Sequence, residues 1–178
     1  MEPVNGMPFS KPRPAPAQLI NVVQYGTPDV LQSALKAWYW PVNEVDADEL
    51  TLFFRAVYYG RFDNADRLLL AGADVDTPGL NGWTPLFWAT YRQLASTVRF
   101  LLSRGADPDI RTADGGWPMF WAVCQGQDEI VSLLLAAGAD LTLVDAAGRN
   151  VTWLAKSLGH EAIFNQLSSF RQSIEVCM

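Results

Sequence analysis

An all-α solenoid of stacked helix-turn-helix units with projecting hairpin loops is the fold class that the sequence predicts, and three observations predict it. Gly72-Ala73-Asp74, Gly105-Ala106-Asp107 and Gly138-Ala139-Asp140 recur at intervals of 33 residues, and a fixed period of that length signals a repeat architecture. The same interval relates Ala56, Ala89, Ala122 and Ala155, the pairs Leu68-Leu69, Leu101-Leu102 and Leu134-Leu135, and the glycines Gly82, Gly115 and Gly148. Within each period, apolar residues at helical spacing alternate with polar stretches rich in turn formers.

Each part of the unit has a local cause. Thr84-Pro85-Leu86 starts a helix, because Thr84 can cap it and Pro85 stands where its missing N–H costs nothing. Leu86 and Ala89 share one face of that helix, and the small alanine lets a neighbour approach closely. A second helix runs through Val98, Leu101 and Leu102, whose i, i+3, i+4 spacing marks a buried stripe. Gly105 stops it in a left-handed conformation. The stretch from Asp107 to Gly115 is too polar to continue a helix and should project as a hairpin-like loop. No single unit can bury its own apolar face, so the units must stack into a shared core.

Asn81-Gly82-Trp83-Thr84-Pro85-Leu86, followed by Ala89, the leucine pair and Gly-Ala-Asp, resembles the ankyrin repeat. The resemblance covers about Asp48 to Phe170, in four units beginning at Asp48, Asn81, Asp114 and Ala147. A degenerate unit is expected before them, because Leu19 to Gly26 and Asp29 to Ala37 read as two helices and Val42-Asn43 mimics the following loop. The expected organisation is a proline-rich disordered leader over 1–17, a repeat domain over 18–171 and a fraying tail over 172–178. Its units lie near 18–47, 48–80, 81–113, 114–146 and 147–171.

The departures from the family pattern are informative. Phe54, Phe87, Phe120 and Trp153 stand where the family usually places a histidine, which exchanges a polar contact between repeats for aromatic packing. Gln93 stands where Gly60, Gly126 and Gly159 occupy the turn between helices, so that turn is expected to be distorted or strained. Trp117 replaces a capping threonine and is expected to fill a gap between loops. Asn150-Val151 in place of Thr-Pro, and Arg171 in place of the terminal glycine, mark the last unit as a cap.

The composition bounds the function. With 178 residues, nearly half of them apolar, the chain can build a core without staples. Its longest apolar runs fall short of the roughly 20 residues of a membrane span, and the first residues, MEPVNGMPFSKPRPAPAQ, lack the apolar block of a secretory signal. A cytoplasmic, monomeric protein with no membrane association is expected. Cys124 and Cys177 are too few for a disulfide framework. A net charge of -6 repels phosphate backbones, which argues against nucleic acid and in favour of a basic protein partner.

The resemblance implies a concave binding face built from loop tips and the exposed side of each first helix. In this chain the loop tips include Trp83, Arg111, Asp114 and Arg149. The first-helix positions include one track of Arg55, Trp88, Trp121 and Leu154, and another containing Tyr58, Tyr59, Tyr91, Arg92, Cys124 and Gln125. Tyrosine, tryptophan and arginine dominate interface hot spots, so Tyr59, Trp83, Trp88, Tyr91, Arg92, Arg111, Asp114, Trp121, Gln125 and Arg149 are the candidate partner-binding residues. The alternative is that these rings pack between adjacent first helices as core. The single histidine, His160, occupies a turn where ankyrin units often carry Gly-His, and nothing local activates either thiol as a nucleophile. Asp46-Ala47-Asp48, Asp74-Val75-Asp76 and Asp107-Pro108-Asp109 resemble carboxylate pairs for a divalent metal, but the latter two belong to the repeated loop. The expectation is a non-catalytic protein-binding module without cofactor or metal. A dedicated inhibitor, such as an immunity protein against a bacterial toxin, is the alternative, and an enzyme or metal protein the remote one.

Overall fold

The computed structural model describes residues 17–38 and 40–176 of the backbone. Of the predicted leader only Ala17 falls among them, and it already belongs to the first helix; Cys177 lies outside the described residues. Among the described residues there are ten α-helices and no strand. The chain divides into two compact units, 1–73 and 74–178.

The first unit holds α1 (Ala17–Tyr25), α2 (Pro28–Trp38), α3 (Leu52–Tyr58) and α4 (Phe62–Leu70). The pairs stack like on like, α1 against α3 and α2 against α4. Leu19 and Val23 from α1, and Leu52, Phe53, Ala56 and Val57 from α3, are buried. The buried amide of Asn64 on α4 donates to the Val23 carbonyl at 2.8 Å and to the Gly26 carbonyl at 3.1 Å. The Gly26 carbonyl also accepts from Arg61 at 3.1 Å, so two side chains meet the acceptors at the end of α1 and dock the degenerate first pair onto the second.

The second unit holds α5 (Pro85–Tyr91), α6 (Ala95–Ser103), α7 (Pro118–Cys124), α8 (Asp128–Ala136), α9 (Val151–Leu158) and α10 (Glu161–Val176). First helices stack α5, α7, α9 and second helices α6, α8, α10. Ala56, Ala89, Ala122 and Ala155 are fully buried at 0% exposure, as residues at close helix contacts must be. The last helix meets no glycine at 171 and continues past Arg171 to Val176.

Capping follows the sequence closely. Thr51 and Thr84 each accept a hydrogen bond from the amide three residues on, both at 3.1 Å, and Asn150 does the same for Trp153 at 2.9 Å. Trp117 makes no such bond.

The loops repeat with the same period as the helices. The amides of Asp46, Gly79, Thr112 and Asp145 donate to the carbonyls of Leu50, Trp83, Gly116 and Arg149, at 2.9, 2.9, 2.8 and 3.0 Å. Isolated bridges Val45 to Thr51 and Val144 to Asn150 close two of these hairpins. In the second unit a ladder joins successive loops. Asp76 accepts the Asp107 N–H through both carboxylate oxygens at 3.2 and 3.1 Å, and Asp109 accepts the Asp140 N–H at 3.0 and 3.1 Å. Burial pushes both carboxyls above their ordinary range; the amide each one binds pulls the other way, and repulsion from neighbouring aspartates adds to the rise.

Two positions that are glycine in other repeats are not glycine here, yet they keep the glycine conformation. Glu49, in phase with Gly82, has φ 58°, and Gln93, in phase with Gly60 and Gly126, has φ 60°. The expected strain at Gln93 is therefore in its own backbone, while the turn itself keeps its hydrogen bond from Leu94 N–H to the Ala89 carbonyl at 2.9 Å. A left-handed non-glycine residue costs about 1–2 kcal/mol, of which part returns as the lower unfolded-state entropy of glutamine. Gln93→Gly should accordingly stabilise the protein by about 0.5–1 kcal/mol in urea denaturation.

The loop ladder sets a pH-dependent expectation. Asp76 and Asp109 hold protons more tightly in the folded chain than unfolded, so their ionisation opposes folding. That cost is present above their raised folded values and vanishes as the pH falls below the ordinary 3.8. Asparagine keeps the acceptor oxygen without the charge. Asp76→Asn with Asp109→Asn should stabilise at pH 7 by a few tenths of a kcal/mol, the positions being half exposed to screening solvent. The gain should shrink as denaturation is repeated toward pH 3.5.

Candidate functional site

The candidate site lies in the second unit, on α5, α7 and the loops before them. Four aromatic rings form a run there. Trp83 packs on Phe87 with ring centroids 5.1 Å apart and on Tyr91 at 5.0 Å. Tyr91 meets the edge of Trp121 at 5.4 Å, and Phe87 meets Trp121 at 6.5 Å. Edge-to-face geometry of this kind matches the positive rim of one ring to the negative face of the next. Trp121 is half-buried because it stacks α7 on α5, while Tyr91 keeps 38% of its surface exposed.

Beside this run opens a cleft of about 760 Å³ between the hairpins at 111–116 and 144–149. Trp117, Phe120 and Trp121 line it, with Arg111, Asp114 and Arg149 among its charged residues. Trp117 is 1% exposed and packs on Phe120 at 5.1 Å. It sits where the other units have a capping side chain, so a ring has replaced a hydrogen bond. The guanidinium of Arg111 lies 4.5 Å over the Trp117 ring and donates to the carbonyls of Gly115 at 3.1 Å and Val144 at 3.0 Å. Arg111 thus staples one hairpin to the next. Arg149 donates to Asp145 at 2.7 Å and lies 5.1 Å over Trp153. Asp114 accepts the Thr112 hydroxyl.

The predicted residues fall into three groups. Arg111, Asp114, Trp121 and Arg149 line the cleft, and Trp83 and Tyr91 continue it as the aromatic run. Trp88 is half-buried on α5, and Arg92 is exposed at its end. Gln125, at the end of α7, accepts from Gln93 at 3.2 Å and from Gln127. Tyr59 belongs to the first unit, where it meets Tyr58 edge-on at 5.3 Å. Arg55 corrects the expectation that its track is exposed: it is 9% exposed and bonded to Asp46 and Asp48. Burial alone would lower its pKa, but the hydrogen bonds and charges of those two carboxylates raise it above the ordinary value. That pairing also occupies the Asp46-Asp48 couple, which had the look of a metal-ligand pair.

Sequence reasoning missed Phe120 and Asp145 as cleft residues. Phe120 repeats Phe54 and Phe87 in phase, yet those two are buried while Phe120 reaches the cleft. Burial pushes the Cys124 thiol above its ordinary value, with the Arg149 charge pulling the other way. His160 stands half-buried against the Gly126 turn, where an added Cβ would come within 3.1 Å of its ring. Among the described residues no three His, Cys, Asp or Glu side chains are grouped to hold a metal, and no helix is long and apolar enough to cross a membrane.

Pairs of short antiparallel helices repeating every 33 residues, joined by projecting hairpins, define a helical-repeat protein. The ankyrin-repeat family model, of three copies, matches residues 19–112, 53–145 and 93–176, and the chain belongs to the ankyrin-repeat family. None of the curated proteins matches it in sequence. Ankyrin repeats generally mediate protein–protein interaction, and the family is typically non-catalytic.

The packing makes one forecast for this region. Trp117 is fully enclosed and carries the Arg111 staple, so Trp117→Ala should destabilise the protein by about 3–5 kcal/mol. Chemical denaturation measures it, and a loss under 1 kcal/mol would contradict the enclosed position.

Proposed function

We propose that the chain is a non-catalytic module that holds a partner protein on the face made by α5, α7 and their preceding hairpins. The observation that carries this reading is the joined aromatic run and cleft, in which Trp83, Tyr91 and Trp121 adjoin Arg111, Asp114 and Arg149. A contiguous, partly exposed aromatic surface on a water-exposed protein marks an interaction site, and rings already packed on one another lose little entropy when a partner arrives. Trp88, Arg92 and Gln125 extend the same surface, and Tyr59 is a separate candidate contact on the first unit. On this reading the protein works in the cytoplasm as a monomer until it meets its partner, and nucleic acid and membrane are not its targets.

The net charge of -6 favours a basic partner, because complementary charge speeds encounter. The same charge supports a second reading, a dedicated inhibitor that neutralises a basic protein such as a toxin. A dedicated inhibitor should bind tightly and lose affinity steeply as salt rises, whereas a general adaptor should not.

The site assignment is tested by substitution at exposed positions. Tyr91→Ala and Arg149→Ala should each weaken the complex by about 2 kcal/mol or more, roughly thirtyfold in Kd. Tyr25→Ala, at a 74% exposed tyrosine of the first unit, should leave it unchanged. Unaltered affinity in a folded double variant would refute the assignment.

A further inference from the structure

Asn-Gly occurs twice in the chain, at Asn5-Gly6, outside the described residues, and at Asn81-Gly82. It is the pair most open to spontaneous deamidation, because glycine has no Cβ to keep its own nitrogen away from the preceding side chain. The glycine nitrogen gives up its proton as it bonds the asparagine Cγ, and the side-chain nitrogen leaves as ammonia, which closes a succinimide ring. Water then opens the ring at either carbonyl. One product is aspartate; the other is isoaspartate, in which the main chain runs through the side chain and is one CH2 longer.

At Asn81 this chemistry meets a side chain that is exposed and a backbone that is held. Asn81 stands in the hairpin closed by Gly79 and Trp83, in a left-handed conformation that asparagine tolerates, with φ 61° and ψ 17°. At that ψ the Gly82 nitrogen lies across the Cα–C bond from the Asn81 Cβ, whereas a five-membered ring needs both on the same side. Two hydrogen bonds oppose the rotation. The Gly82 N–H donates to the Gly79 carbonyl at 3.1 Å, and the Asn81 carbonyl accepts the N–H of Ala113, on the next hairpin, at 3.1 Å. The hairpins also abut closely there, since a Cβ on Gly82 would lie 3.2 Å from the Ala113 nitrogen.

We propose that Asn81-Gly82 is a self-modifying site gated by its own hairpin: it deamidates when the 79–83 hairpin lifts from the 111–116 hairpin, and stays intact while the Gly79 and Ala113 bonds hold it. Asp48 and Asp114 stand in phase with Asn81, so the aspartate product returns the position to the residue of two other repeats. It also sets a negative charge two residues from Trp83 of the aromatic run. Isoaspartate lengthens the main chain and draws the carbonyl away from Ala113.

The test follows Asn81 by peptide mapping and mass spectrometry while the full chain is incubated at about pH 8, beside the capped peptide TPGLNGWTPL of residues 77–86. Conversion should be at least tenfold slower in the folded chain than in the peptide, and unfolding in urea should remove that difference. Ala113→Pro deletes the N–H that holds the Asn81 carbonyl. Ala113 is the second residue of the turn closed by the Gly115 N–H and the Thr112 carbonyl at 2.9 Å, a place that suits proline. With its melting temperature checked, the folded variant should convert at least threefold faster than the wild type. Hydrogen exchange of the Ala113 amide reports the same lift-off without any substitution, and across urea concentrations that leave the chain folded it should change by the same factor as the deamidation rate. A folded chain that reacts as fast as the peptide, an Asn81 that stays unmodified in urea, a folded Ala113→Pro chain with the wild-type rate, or exchange and deamidation that diverge overturns the proposal.

Discussion

Everything in this protein depends on close contact between helices that are too short to be stable alone. The first helices α3, α5 and α7 have seven residues each, about two turns, and an isolated helix of that length does not persist in water. Each is held by burying its apolar side against a neighbour in its own unit, α3 against α1 and α5 against α7. That burial is possible because the contact residue is alanine in every recognisable repeat, with no accessible surface left. Capping residues and left-handed turns then fix where each helix begins and ends, so that the rows stay in phase.

The loops are governed by a second constraint, since a projecting hairpin has many backbone groups and little core. In the second unit the carboxylates of Asp76 and Asp109 answer it by gripping the following loop. Arg111 acts in the same way farther out, reaching the Val144 carbonyl while its plane covers Trp117. The candidate site is built on those stapled hairpins rather than on loose ones. Its rings and guanidinium groups are held before any partner arrives, which limits the entropy lost on binding.

The fold was legible because its determinants are local and periodic. A cap, a proline, an alanine and a glycine at fixed offsets identify a unit without knowledge of its neighbours. The site was legible only in part. Tyr91 and Trp121 could be placed on one surface from their phase, but Arg55 could not be recognised as buried, because that depends on Asp46 and Asp48 folding back over it. Phe120 is indistinguishable in sequence from Phe54 and Phe87; the replacement of the preceding cap by Trp117 changes what surrounds it. Asn64 likewise looks like an ordinary polar helix residue until α1 supplies the carbonyls it meets about 40 residues away. Such contacts are set by tertiary approach, which no local spacing records.

The ladder of aspartates has a consequence for how such a chain can change length. Each rung links a carboxylate to an amide 31 residues further on, and the next carboxylate stands 33 residues beyond the last. A duplication or deletion of one whole period presents every hook with the same backbone group as before, and the register of the helices survives with it. A slip of any other size leaves hooks facing the wrong atoms and turns the alanine row away from its neighbours. In this part of the molecule the ladder therefore survives only changes of whole periods, so surface is added or lost in complete increments.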